Sequence, residues 1–198
     1  MKVVLDWDGT VTVRDTQWML LERFGDRSVF DRTEDGLGTT LSFRDVMEVQ
    51  LATITAPLDE AVAFLVGEAE VRAGFCELVA RYDPLVLSSG FHETIAPILA
   101  REDVEVAVVA NRVDARPDGW RVIWSDDTPC PVCGDLCKRR ALPDERPLVY
   151  VGDGYSDRCA ALAAERVFAR RALADYLVSR NVPFEPFETF DDVAAALS

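Results

Sequence analysis

The stretch Lys2-Val3-Val4-Leu5-Asp6-Trp7-Asp8-Gly9-Thr10-Val11 is an apolar run that stops at two carboxylates one residue apart. A short β-branched segment ending in polar residues and a glycine reads as a buried strand with its chemistry at the carboxyl end. In open α/β sheets ligands bind at that edge. Alternation along an extended strand aims Asp6 and Asp8 the same way. Like charges that close repel unless a cation or a transferred proton separates them. Taken alone, the pair fits equally well a strand end followed by a solvated Asp-Gly turn.

Two further segments share this form. Leu85-Val86-Leu87-Ser88-Ser89-Gly90 is apolar and ends in hydroxyls and a glycine, and Leu148-Val149-Tyr150-Val151-Gly152-Asp153-Gly154-Tyr155-Ser156-Asp157 runs into glycines and two more aspartates. Between them Cys137-Lys138 closes a cysteine-rich loop, and Lys138 is one of only two lysines in the chain. The order DxDGT, apolar strand then serine, lysine, and GDGxxD resembles the motif order of the haloacid dehalogenase (HAD) superfamily. Each motif falls at a strand end or helix start, and the resemblance spans nearly the whole chain.

The resemblance implies an α/β fold, a Rossmann-like parallel sheet with helices on both faces, plus a small all-helical C1-type cap inserted after the first strand. Strands alternating with helices support the same architecture independently. Apolar residues recur at helical spacing over 16–24, 43–54 and 58–66, with Thr16 and Ser42 as caps. The stretch between the first two, from Gly25 to Thr40, is loop-like in composition. Residues 14–70 are therefore expected as the cap, and 1–13 with 71–198 as the core. In the core we expect helices over 74–82, 93–99, 157–164, 172–180 and 191–197, and one starting at 137–142. Further strands are expected over 104–109 and 167–169. A hairpin should pair Arg112-Val113 with 121–124 across Pro117-Asp118-Gly119.

By resemblance, Asp6 is the nucleophile that forms an aspartyl-phosphate, and Asp8 the general acid and then base. The second aspartate separates phosphatases from dehalogenases, since a halide leaves without a proton. The resemblance gives Mg2+ as cofactor, held by Asp6, the backbone carbonyl of Asp8 and Asp153, an oxygen-only set that suits it. Asp157 orients groups around that site. Gly9, Thr10, Ser88, Ser89 and Lys138 cradle the substrate phosphate, and Lys138 also offsets charge on Asp6.

The loop Trp124 to Lys138, with Cys130, Cys133 and Cys137, looks like the approach to the lysine in the methionine-salvage enolphosphate (MtnX-like) phosphatases. A related pattern occurs in phosphoethanolamine/phosphocholine phosphatases. Phosphoserine phosphatases, whose branch has this cap type, carry no such cluster. Their cap glutamate falls on Asp15, and their carboxylate-binding arginine on Gln50, which cannot form a charged fork. Arg44 or Arg32 would have to replace it. For the three cysteines themselves, free thiols, a structural Zn2+ and a disulfide stay open. A closed zinc site needs four ligands, so His92 or a distant cysteine would have to join.

At 198 residues the chain suits one α/β domain with an insertion. The formal charge of −14 disfavours a nucleic-acid partner. Mean hydropathy near zero and the lack of a long apolar stretch disfavour a membrane span. No basic-then-apolar leader opens the chain, so a cytoplasmic location is expected. The expected partner is a small phosphorylated metabolite.

Overall fold

The computed structural model describes all 198 residues. Seven strands, β1 (Lys2–Leu5), β2 (Leu85–Phe91), β3 (Ala107–Asp114), β4 (Arg121–Ile123), β5 (Leu148–Gly152), β6 (Arg166–Ala169) and β7 (Glu185–Pro186), join one sheet. Their order is β4-β3-β2-β1-β5-β6-β7. Every neighbouring pair is parallel except β3 with β4. The strands flanking β1 are β2 and β5, so successive connections leave it in opposite directions. That switch point opens a crevice beyond its carboxyl end.

The pleat sorts the apolar run of β1. Val3 and Leu5 enter one cluster with α5 (Phe75–Tyr82), α6 (His92–Arg101) and α9 (Phe190–Ala196). Val4 enters the other, with α7 (Arg158–Ala161) and α8 (Arg171–Ser179). All three side chains are fully buried, each contributing about 1.5–3 kcal/mol. The expected α/β sheet with helices on both faces is therefore present.

The insertion holds α1 (Thr16–Phe24), α2 (Arg27–Gly36), α3 (Phe43–Leu51) and α4 (Leu58–Glu68). Its stem is zipped: Val13 N–H donates to the Glu70 carbonyl at 2.9 Å, and Arg72 N–H to that of Val11 at 2.8 Å. Met19, Leu21, Met47, Leu51 and Leu65 belong to the same cluster of 29 buried residues as Val3 and Leu5. The insertion therefore has no core of its own and rests directly on the sheet. No helix is long and apolar enough to cross a membrane.

Several local expectations need correction. The stretch 27–36 is helix α2, not loop. Asp26 caps it by accepting from Ser28 N–H at 2.8 Å, and its inward face is only the sparse set Phe30, Thr33 and Gly36, too polar to register as a stripe. Residues 137–142 make only a 3-10 turn, Lys138–Ala141, because Pro143 forces Leu142 into an extended conformation. Helix α7 covers four residues. The strand expected over 104–109 begins only at Ala107 and runs on through 112–113 as the single strand β3, which pairs with β4 as the expected hairpin, Val113 opposite Val122. The two-residue edge strand β7 was not expected.

Candidate active site

The β1 ladder runs one residue past the strand: Asp6 N–H donates to the Val151 carbonyl at 2.9 Å. The chain then folds into a tight turn over Trp7–Val11, closed by Thr12 N–H to the Trp7 carbonyl at 3.0 Å. Gly9 sits at φ 75°, and a Cβ there would collide with the Asp153 carboxylate. Arg72, just past the insertion, clamps this turn from below. Its guanidinium donates to the carbonyls of Thr10 at 2.7 Å, Gly9 at 2.9 Å and Glu188 at 3.1 Å. Five fixed donors meet several otherwise orphaned carbonyls. The sequence marks Arg72 only by its place where the chain re-enters the core.

Lys138 reaches the same point from the far side. Its ammonium donates to Asp6 Oδ1, and to Asp157 Oδ1 at 2.7 Å. Asp157 Oδ1 also accepts from the Tyr150 hydroxyl at 2.7 Å, while Oδ2 accepts from the Asp153 and Gly154 N–H groups at 3.0 and 2.8 Å. With four donors, the lone pairs of Asp157 are filled. Asp153 is less engaged, with the Thr10 hydroxyl at 3.4 Å and Arg171 Nη1 at 3.5 Å. Asp8 Oδ1 accepts from the Thr16 hydroxyl and, at 2.8 Å, from Thr16 N–H at the start of α1. Its Oδ2 faces Gly90, where a Cβ would stand 2.9 Å away.

Asp6, Asp153 and Asp157 offer oxygens within 4.8 Å of one another, and only one lysine stands among them. Burial, then the Asp157 charge, pushes Asp6 up to about 7. Burial, then Asp6 and Asp157, pushes Asp153 up to about 8. Asp8 rises to about 7 through burial and the neighbouring Asp15. Burial pulls Lys138 down, but Asp157 and Asp6 together outweigh it and hold it charged. Such surplus negative charge, with oxygen donors only, fits a hard divalent cation.

A cavity of about 490 Å³ lies over these groups, between sheet and insertion. Asp6, Asp8, Ser89, Lys138 and Asp153 line it. Gly9, Thr10 and Asp157 lie behind that surface, and the Thr10 hydroxyl is committed to Asp153. Ser88 accepts from Gly90 N–H at 2.8 Å and lines a small adjoining cleft. From the insertion come Asp15, Gln17, Trp18, Phe30, Glu34, Met47 and Gln50, with no lysine or arginine. The Gln50 amide donates to Thr33 and Glu34, each at 2.9 Å. Arg44 bonds Glu48 and the Asp127 carbonyl, and Arg32 bonds Ser28. Neither reaches the cavity, whose arginines, Arg158 and Arg171, come from the core and were not expected.

None of the five cysteines is in a disulfide. Cys130, Cys133 and Cys137 meet Cys159 of α7, the distant fourth cysteine that the sequence pattern left unplaced. His92 starts α6 and is not part of the group.

The description "haloacid dehalogenase-like hydrolase" belongs to the family model that matches residues 3–162. Pdp3-interacting factor 1 of Schizosaccharomyces pombe is 31% identical, covering 96% of this chain and 92% of that protein. The 2-hydroxy-3-keto-5-methylthiopentenyl-1-phosphate phosphatase of Bacillus cereus is 29% identical over 100% and 95% of the two chains. Polyol phosphate phosphatase PYP1 of Saccharomyces cerevisiae is 30% identical over 98% and 91%. Among solved structures, a phosphoserine phosphatase with a phospho-aspartyl intermediate analogue superposes with a TM-score of 0.73. It shares 16% identity over 98% of this chain and 97% of that one, a likeness of fold. Four motifs at the strand ends, the sheet order and the match across most of the chain agree: this chain is an enzyme of the haloacid dehalogenase-like hydrolase family.

Proposed function

We propose that the chain is a magnesium-dependent phosphomonoester hydrolase that passes through an aspartyl-phosphate on Asp6. One observation carries this reading: Lys138 holds Oδ1 of Asp6, and Asp6 and Asp8 line the same cavity. Lys138 aims the nucleophile and offsets charge on the incoming phosphoryl oxygens. Asp8, with its proton affinity raised toward neutrality, donates a proton to the departing alkoxide and later takes one from the attacking water. Ser89 and Ser88 bound the phosphate, while Arg72, Gly9 and Thr10 hold the turn that presents both aspartates. Asp6, Asp153 and the Asp8 carbonyl hold Mg2+, which when bound screens the charge of carboxylates and phosphate. Asp157, its lone pairs filled, positions Lys138 and the Asp153 backbone instead of binding the ion.

Residues 14–70 act as a cap that selects the substrate. A zwitterionic amino-acid head needs a cation for its carboxylate; the insertion offers none, and of the two core arginines in the cavity Arg171 faces Asp153 and Arg158 lies over the rings of Tyr155 and Tyr176. Leaving that carboxylate without a charged partner costs about 1–3 kcal/mol, roughly ten- to a hundredfold in specificity. Trp18, Phe30 and Met47 instead suit a short apolar tail, so the substrate is an enolphosphate of the methionine-salvage type. A second reading, a polyol phosphate, rests on Asp15, Gln17, Glu34 and Gln50, which offer hydroxyl partners on the same wall. The test is kcat/KM for both classes beside phosphoserine, with magnesium, in one buffer. The enolphosphate should lead phosphoserine by about tenfold or more; phosphoserine in front contradicts the cap assignment.

A further inference from the structure

The four cysteines behind Lys138 have no part in the chemistry above, yet two distant segments bring them to one point. Their sulfurs lie within 4.8 Å of one another, and those of Cys130 and Cys159 are 3.9 Å apart. Four Zn–S bonds of about 2.3 Å in a tetrahedron set the sulfurs about 3.8 Å apart. The backbone is shaped for such a site. Cys130 N–H donates to the Asp135 carbonyl at 2.9 Å, and Gly134 N–H to that of Cys130 at 2.8 Å. Gly134, at φ 77°, supplies the left-handed residue that curls the Cys130-x-x-Cys133 turn. Arg139 donates to the Cys159 carbonyl at 3.3 Å, tying the turn after Cys137 to α7.

We propose that Cys130, Cys133, Cys137 and Cys159 form a tetrathiolate zinc site that ties the loop before Lys138 to the start of α7. The donor set is soft, complete and closed, which marks a structural ion and not a catalytic one with an open position. The loop from Ser125 to Cys137 contains no helix or strand, so few backbone bonds order it. Cys137 precedes Lys138, and Cys159 lies two residues past Asp157. The ion therefore staples the two segments whose side chains form the Lys138–Asp157 pair. This inference stands whether or not Asp6 is the nucleophile.

The experiment is elemental analysis of untagged protein purified without a metal resin, beside Cys159→Ser and Cys76→Ser. The expected result is one zinc per chain in the parent and in Cys76→Ser, with a loss of about tenfold or more in Cys159→Ser. If Cys159→Ser does not fold, the parent exchanged with Co2+ decides: it should show the thiolate charge-transfer and tetrahedral ligand-field bands of a four-sulfur centre. Parent protein without stoichiometric zinc, or with iron in its place, overturns the proposal. So does a cobalt spectrum lacking thiolate bands.

Discussion

Asp8 shows how placement divides labour between two like residues. Both are pushed up to about 7 by burial, but Asp6 bonds the Lys138 ammonium, which suits the nucleophile proposed above, whereas Asp8 bonds only the hydroxyl and N–H of Thr16 and has Asp15 as its neighbouring charge, which suits a proton donor. The difference predicts a leaving-group signature. Asp8→Asn should slow hydrolysis of an alkyl phosphate by about 10²–10⁴-fold, and that of an activated aryl phosphate much less. Equal losses for the two substrates, measured as kcat, would show that Asp8 is not the acid. At this scale the sequence was legible where chemistry is local: Asp6, Asp8, Asp153 and Lys138 sit in short motifs. Arg72 and Cys159 were not legible as site-builders, because their partners lie 60 or more and 22 or more positions away. A lone arginine or cysteine carries no periodic or spaced signal that names such partners.

Among the elements, α1 matters most to the site, since its first turn points a backbone N–H and a hydroxyl at Asp8. Both interactions, together with the positive end of the helix, favour the ionised form. Thr16→Val removes the hydroxyl and leaves the helix, so Asp8 should stay protonated to higher pH. Because the acid must carry its proton, the alkaline limb of the kcat–pH profile should move upward. A limb that stays put or moves down would contradict the assignment of that limb to Asp8. Strands and long helices were readable from apolar pattern and caps, as the β3–β4 hairpin and α3 illustrate. Helix α2 was not, because its inward face contains one aromatic, a threonine and a glycine, which only the surrounding tertiary structure makes into a packing surface.

For the whole molecule, the fold concentrates negative charge at the carboxyl edge of its central strand, and stability must respond. Asp6 and Asp153 ordinarily lose their protons near 3.8, and in the folded, metal-free chain they do so near 7 and 8. Between those limits the folded state binds more protons than the unfolded one, so stability falls as pH rises. Metal-free protein should therefore melt at lower temperature at pH 8 than at pH 5. Under the function proposed above magnesium would bind the ionised carboxylates, so the increase in Tm that it produces should grow across the same window. A magnesium effect that is constant or shrinks toward pH 8 in calorimetry would show that these carboxylates do not hold the ion.

The proposed chemistry turns on a covalent bond between Asp6 and the phosphoryl group. The direct measurement is acid quench during steady turnover, followed by peptide mass spectrometry of the parent and Asp6→Asn. The parent should carry one phosphoryl group on the peptide containing Asp6, labile to hydroxylamine as an acyl phosphate is. Asp6→Asn should carry none and turn over no substrate. Label on another residue, or turnover in Asp6→Asn comparable to the parent, would contradict the account.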